Sequence, residues 1–445
     1  MFMKRIASIA IAAAVVLAGC TEREVVLPGE RLPVRAGNDG GIGVLDIASG
    51  EAAGRPGIPG LALPPPQRLA SWPMRVGNLS NDPGHATLSP APHLAWSADI
   101  GAGNTRRQRI TADPVSDGAR IYTLDAQSGV GATSIAGTVL WTRSLVPASD
   151  RAGEASGGGV AVANGVVYVS TGFGELHALD AATGRTFWVQ RVDAPITTPK
   201  VADGIVYLVS RDNRAFALDA ADGRIRWEIA APPAAAVMAT APAPAVTGRS
   251  VIFPFGSGDL VATLRESGLR VWGISISGVR RGVVYNEVGD ITGDPVVSGG
   301  TVYAGTSAGR IIAASAASGE RVWTAAEGVV SPMALAGGSL FAVSDRAQLL
   351  RLDAATGAVI WRQDLPFYRD PRASRREGIY AHFGPVLAGG RLWVASSDGA
   401  LRGFDPATGV PVANAEIPGG AASRPIVFGD ALFVVGRDGA LHAFR

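Results

Sequence analysis

The 445-residue chain is rich in residues that form short strands and turns, and it is poor in charge. It contains 58 Gly and 29 Pro, and only 18% of its residues are charged, which argues against long amphipathic helices. Its 40 basic and 38 acidic residues are spread along the chain and leave a formal net charge of +2. Without a strongly basic field, the chain is not expected to bind nucleic acid.

The first twenty residues have the pattern of a secretory signal. Lys4 and Arg5 precede an apolar run over residues 6–17, which is shorter than the roughly 20 residues that a membrane span needs. The run ends in Leu17-Ala18-Gly19-Cys20, a sequence that resembles the lipobox of bacterial lipoproteins. We therefore expect a signal peptide over residues 1–19 and a lipid on Cys20. The alternative is an ordinary secretory signal with an incidental cysteine.

Residues 20–70 predict a flexible tether. They are rich in Gly, Pro and Ala and show no sustained apolar period, as in Leu63-Pro64-Pro65-Pro66. The predicted organisation is therefore a lipidated cysteine and tether over 20–70, followed by one folded body with its lead-in over 71–445.

The folded body repeats one unit. An aromatic residue is followed 19 or 20 residues later by a tryptophan in six copies, and several copies contain a turn of the form Leu-Asp-Ala-Ala-x-Gly. The six pairs are Tyr122 and Trp141, Tyr168 and Trp188, Tyr207 and Trp227, Phe253 and Trp272, Tyr303 and Trp323, and Phe341 and Trp361. A seventh copy has Trp393 at the aromatic position and Ala413 in place of the tryptophan. A proline stands eight residues before the aromatic in five units: Pro114, Pro199, Pro295, Pro385 and Pro425.

Each unit predicts four short antiparallel strands, which is the pattern of a β-propeller blade. The last unit stops before its tryptophan-bearing strand, and residues 94–100, with Trp96, have the form of that missing strand. We therefore predict an all-β, eight-bladed propeller whose last blade is completed by both termini, which removes open sheet edges. The tryptophans are expected to pack between blades: Trp96, Trp141, Trp188, Trp227, Trp272, Trp323 and Trp361.

The repeated unit resembles the quinoprotein-type (PQQ-like) propeller repeat, from residue 94 onward. Together with the lipobox and tether, it is similar to the BamB-type lipoproteins of the outer-membrane β-barrel assembly (BAM) complex. This resemblance implies a non-catalytic scaffold without cofactor or metal, which binds a BamA-like subunit alongside other BAM lipoproteins. Thr21, where an Asp would favour inner-membrane retention, implies a lipid anchor in the outer membrane, facing the periplasm.

Two other functions remain open at this point. Quinoprotein dehydrogenases use the same repeat to hold pyrroloquinoline quinone and Ca²⁺, but they commonly carry an adjacent cysteine pair, and Cys20 has no second cysteine beside it. Calcium also needs several convergent oxygen ligands, whereas Asp180, Asp219 and Asp353 occupy equivalent turn positions on different blades. The other alternative is a periplasmic propeller that senses a small ligand.

The resemblance also implies where a partner would bind. An acidic loop of the family corresponds here to Asp290-Ile291-Thr292-Gly293-Asp294-Pro295, and we expect Asp290, Thr292 and Asp294 to lie exposed in it. The family's companion apolar loop corresponds to residues 234–240, with Val237 and Met238. A charged insertion over 364–384, with Arg369 and Arg372, is either a solvated loop or a further docking rim.

Overall fold

The computed structural model describes residues 59–234, 242–276, 289–370 and 372–445. Within these ranges the strands form eight separate four-stranded antiparallel sheets, arranged as the blades of a propeller. The predicted fold class and blade number are therefore confirmed. In this part of the chain, no helix is long and apolar enough to cross a membrane.

Blades 1 to 4 follow one another along the chain. Blade 1 contains β2 (Val115–Ser116), β3 (Arg120–Leu124), β4 (Gly129–Ser134) and β5 (Val139–Ser144). Blade 2 contains β6 (Gly158–Ala163), β7 (Val166–Thr171), β8 (Glu175–Asp180) and β9 (Thr186–Arg191). Blade 3 contains β10 (Lys200–Ala202), β11 (Ile205–Val209), β12 (Arg214–Asp219) and β13 (Ile225–Ala230). Blade 4 contains β14 (Ala245–Val246), β15 (Ser250–Pro254), β16 (Asp259–Leu264) and β17 (Arg270–Ser275).

Blades 5 to 8 complete the ring. Blade 5 contains β18 (Ile291–Ser298), β19 (Thr301–Thr306), β20 (Arg310–Ser315) and β21 (Arg321–Ala325). Blade 6 contains β22 (Ala334–Ala336), β23 (Ser339–Val343), β24 (Gln348–Asp353) and β25 (Val359–Asp364). Blade 7 contains β26 (His382–Ala388), β27 (Arg391–Ser396), β28 (Ala400–Phe404) and β29 (Pro411–Glu416). Blade 8 joins β30 (Ile426–Phe428), β31 (Ala431–Val435) and β32 (Ala440–Phe444) to β1 (Leu94–Asp99), as predicted.

The hydrophobic core lies between blades. Six of the seven clusters of buried apolar side chains in the described residues join two neighbouring blades, and the largest joins blades 7, 8 and 1. The predicted tryptophans lie at these interfaces. Trp323, for example, donates from Nε1 to the Ala354 carbonyl of the next blade at 3.0 Å, and its ring lies 6.0 Å from that of Tyr303.

This contact explains the turn glycines of the repeat. In blades 2 to 7, the last turn presents a glycine to the tryptophan of the preceding blade, with φ near +75°. At Gly357 a Cβ atom would lie 2.5 Å from Trp323 Cε3, so a side chain would displace the indole. Five further glycine and tryptophan pairs repeat it: Gly184 and Trp141, Gly223 and Trp188, Gly268 and Trp227, Gly319 and Trp272, and Gly409 and Trp361.

The two exceptions follow from the way the ring closes. Ala413 of blade 7 replaces a tryptophan because blade 8 has no turn between β32 and β1, which lie at opposite ends of the chain. The buried ring of Trp393 packs near Gly403, on the strand that pairs with Ala413. Trp96 of blade 8 packs on Gly137 of blade 1, but its Nε1 has no hydrogen-bond partner among the described residues.

The propeller has two different ends. One end carries the turns that join the first strand of a blade to the second and the third strand to the fourth. These turns contact each other, as in the hydrogen bond from Ala220 N to Gly204 O. We call this the plugged end, because residues 59–88 cover it. The other, the open end, carries the turn between the two middle strands and the loops that connect successive blades. The insertion over 364–384 links β25 to β26 and therefore lies at the open end.

Residues 59–88, here called the plug, contact all eight blades. Residues 59–70 were expected to belong to the tether, but Leu61 and Leu63 pack on the core between blades 6 and 7. The predicted boundary at residue 70 is therefore too late. The plug's bonds run from Trp72 N to Ser116 O, Val162 N to Pro73 O, Lys200 Nζ to Arg75 O, Val246 N to Leu79 O, Val297 N to Ser80 O, Arg351 Nη1 to Pro59 O, Ala86 N to Leu387 O and Gly429 N to Leu69 O.

The contact between tryptophan and glycine predicts a difference between two glycines of blade 6. Gly357 and Gly338 both have positive φ, at 74° and 71°, but an added Cβ meets Trp323 only at Gly357 and meets nothing within 4 Å at Gly338. Gly338→Ala should cost about 1–2 kcal/mol for the left-handed backbone. Gly357→Ala should cost a further 1–3 kcal/mol, roughly, for overpacking. Urea denaturation measures the free energy of unfolding of both variants. Equal losses of stability in the two variants would contradict the steric role of the indole.

Candidate functional site

Five charged side chains meet at the propeller axis, where they bind the plug to the blades. Arg75 belongs to the plug, and Asp113, Lys200, Asp294 and Arg424 belong to the innermost strands or the residues just before them. All five are buried. The axis therefore holds a buried ionic cluster.

The carboxylates pair with the plug arginine. Arg75 Nε lies 2.9 Å from Asp294 Oδ1, and Arg75 Nη1 lies 3.7 Å from Asp113 Oδ2. Asp294 also accepts a hydrogen bond from Ala243 N at 2.7 Å, and Asp113 accepts one from Arg424 N at 2.9 Å. Each carboxylate is thus compensated, as a buried charge requires.

Lys200 fastens the plug from blade 3. Its Nζ donates to Arg75 O at 2.7 Å and to Asn78 O at 2.6 Å. Burial lowers the pKa of Lys200 to about 7, against the attraction of Asp294, while Arg75 and Arg424 lower it further. An amine can make both bonds in either protonation state, so the plug contact does not require the charge.

The other pKa values report the balance between burial and ion pairing. Burial alone would lower the pKa of Arg75, but Asp294 and Asp113 raise it. Burial raises the pKa of Asp113 even though Arg75 opposes the shift. Burial lowers the pKa of Arg424 to about 10, with Asp113 and Asp294 acting in the opposite direction. At neutral pH Arg424 remains a cation.

A cavity of about 540 Å³ lies above this cluster, toward the open end. Arg75, Asp113 and Arg424 line its floor, and Arg109, Arg369 and Arg437 line its sides. Apolar contacts come from Ile110, Val330, Ile379 and Phe383. Arg109 and Arg369 are exposed, so the cavity is accessible from solvent.

The predicted acidic loop is not an exposed surface. Asp290, Thr292 and Asp294 are 3%, 1% and 0% exposed, because Thr292 and Asp294 belong to the innermost strand of blade 5 and Asp290 directly precedes it. Thr292 Oγ1 donates to Val329 O, Asp294 pairs with Arg75, and Asp290 raises the pKa of Arg211, which burial lowers. The expectation that these three residues are exposed was therefore wrong, since a β-strand occupies the position assigned to a loop.

The other predicted site residues lie either outside the described residues or on the insertion at the open end. Val237, Met238 and Cys20 lie outside the described residues. Arg369 and Arg372 are both exposed on the insertion at the open end, and only Arg369 lines the axial cavity. The structure thus brings Arg369 together with residues that sequence reasoning did not single out.

The missed residues share positions in the repeat. Asp113, Asp294 and Arg424 each stand nine residues before the aromatic of their unit, directly before the proline that marks the innermost strand. Lys200 stands seven residues before its aromatic, where the other units have Val, Ala or Ile. Comparing each repeat position across blades, rather than searching for consecutive motifs, would have found them.

None of the described residues forms a group of three or more His, Cys, Asp or Glu side chains suited to a metal ion.

The shifted pKa of Lys200 predicts a pH dependence of stability. Between about pH 7 and the unfolded value of 10.5, the unfolded chain holds a proton that the folded protein has released. Raising the pH through this window should therefore stabilise the folded state, by at most about 1.4 kcal/mol per pH unit. Lys200→Met should remove this contribution. Urea denaturation of the wild type and the variant at pH 7, 8 and 9 measures how the free energy of unfolding changes with pH. The same change in both proteins would contradict the lowered pKa of Lys200.

Comparison with known proteins agrees with this architecture. Residues 127–363 match the family model described as outer membrane protein assembly factor BamB. A protein of that name from Yersinia pestis is 26% identical over 373 residues, covering 80% of this chain and 92% of the relative. Another, from Alteromonas naphthalenivorans, is 32% identical over 248 residues, covering 52% of this chain and 59% of the relative.

Solved structures share the fold. The crystal structure of BamB from Moraxella catarrhalis superposes with a TM-score of 0.65 at 16% identity, covering 80% of this chain and all of that one. Quinohemoprotein alcohol dehydrogenase from Comamonas testosteroni has a TM-score of 0.66 at 15% identity, covering 85% and 81%. The propeller alone therefore does not separate the two classes. The family model covers more than half of the sequence, and the chain belongs to the outer membrane protein assembly factor BamB family.

Proposed function

We propose that this protein is a non-catalytic scaffold lipoprotein that assists the insertion of outer-membrane proteins as part of a β-barrel assembly complex. The match of residues 127–363 to the assembly-factor family carries the proposal. The relative from Yersinia pestis supports it, because the similarity extends over 92% of that protein. The propeller's role is to present loops rigidly to a BamA-like subunit and to other lipoproteins of the complex.

The axial chemistry supports a scaffold over a quinoprotein oxidoreductase. A calcium ion needs several convergent oxygen ligands, carboxylates among them. Asp113 and Asp294, the two carboxylates at the axis, are instead directed to the Arg75 guanidinium. The described axial residues therefore do not fit a calcium-bound quinone.

Cys20 is the proposed anchor, with the protein on the periplasmic face of the outer membrane. Several acyl chains would give stable attachment, whereas one chain gives only marginal binding. Cys20→Ser should abolish incorporation of labelled palmitate and move the protein from the membrane fraction to the soluble periplasm. A wild-type protein that takes up no label would contradict the anchor.

The partner is proposed to dock at the open end. The plugged end is covered by residues 59–88, whereas the loops that connect successive blades meet at the open end. The insertion exposes Arg372 there. Val237 and Met238 lie outside the described residues and stay proposed partner contacts from the sequence. Asp290, Thr292 and Asp294 would act indirectly, by holding blade 5 in place under this surface.

Charge reversal at each end tests the docking surface. Arg372→Glu should weaken capture of a BamA-like subunit from detergent-solubilised envelopes about tenfold, since rim charges steer association. Arg224→Glu is the matched control, because its side chain is 87% exposed at the plugged end. Both variants should keep the wild-type melting temperature. Equal loss of capture in both would remove the open end as the docking surface, and capture of no assembly subunit by the wild type would overturn the proposed function.

A further inference from the structure

The axial cavity carries an excess of positive charge. Five arginines line it, whereas Asp113 is the single carboxylate among its lining residues. That carboxylate already accepts from Arg424 N and pairs with Arg75. Arg109, Arg369 and Arg437 form no ion pair with a described residue within 4 Å, so their charges are available to a ligand.

Arg424 is a buried cation with incomplete hydrogen bonding. It is 2% exposed, and Nη2 donates to Pro385 O at 2.8 Å. Its Nε and Nη1 have no hydrogen-bond partner among the described residues. A buried guanidinium left unsatisfied costs free energy, and an oxyanion in the cavity would stabilise its positive charge at the floor.

The cavity is too large and too apolar for a bare inorganic ion. Its volume of about 540 Å³ lies in the range of sites for small organic molecules. Ile110, Val330 and Phe383 offer apolar contact between the arginines. The ligand that matches this lining has an organic body and several acidic groups, one for the floor and others for the rim.

We infer that the axial cavity binds a small organic anion that carries two or more carboxylate groups. One carboxylate lies against Arg424 at the floor, and the others contact the rim arginines Arg109, Arg369 and Arg437. This site is separate from the proposed docking surface at Arg372, and the inference stands whether or not the protein binds an assembly subunit.

Isothermal titration calorimetry with citrate tests the site on the complete folded protein. Citrate should bind saturably with one site per chain, and the affinity should fall as salt is raised, as expected for charge-assisted contacts. Arg109→Gln combined with Arg437→Gln should weaken citrate binding at least about tenfold. Arg106→Gln combined with Arg107→Gln is the control, because it removes the same charge from the neighbouring exposed loop outside the cavity.

A second variant and three results would test the site further. Arg369→Gln, also at the rim, should weaken binding in the same direction, which guards against a folding defect in the double variant. No saturable citrate binding would overturn the site. Equal weakening by the control pair would reduce the effect to general surface charge and overturn it too. Inorganic phosphate that binds as tightly as citrate would overturn the organic ligand.

Discussion

Stacking of a tryptophan from one blade on the last turn of the next is the contact on which the ring depends. An indole N–H satisfies a turn carbonyl, as between Trp323 and Ala354, and a glycine with positive φ gives the ring room. A blade that has both the tryptophan and the turn contacts its neighbours on both sides, so the interaction passes from blade to blade. Because the contact needs a continuous turn between the two outer strands, it changes where blade 8 is completed by the other end of the chain, and Ala413 there faces no such turn.

The axis is held by different forces. The plug brings polar backbone into the middle of the ring, where innermost strands carry charged side chains. Lys200 satisfies the plug carbonyls of Arg75 and Asn78, and Asp294 with Asp113 balances Arg75. Buried ion pairs contribute little net stability, but removing one partner leaves an uncompensated charge. The cluster therefore specifies where the plug sits, and it leaves a cationic floor beneath the open end.

Burial also changes how the acidic segment of blade 5 contributes to function. Thr292 and Asp294 hold the inner strand in place through Val329 and Arg75. Asp290 is buried beside them, where its charge raises the pKa of Arg211. A substitution there disturbs the axis before it alters any surface, so loss of partner capture in such a variant would not identify a contact. At the open end, the insertion exposes Arg372 to solvent, and its Arg369 lines the cavity.

The sequence by itself determined the all-β class, the eight blades, the closure by both termini and the positions of the packing tryptophans. These features are local or periodic, since each repeat carries its own strand, turn and indole signals. The tertiary structure alone decided that residues 59–88 cross the axis and that Asp113, Lys200, Asp294 and Arg424 meet there. Those residues lie far apart in sequence and converge only because ring closure brings every innermost strand to one line. A motif search along the chain cannot detect a site built from one residue per blade.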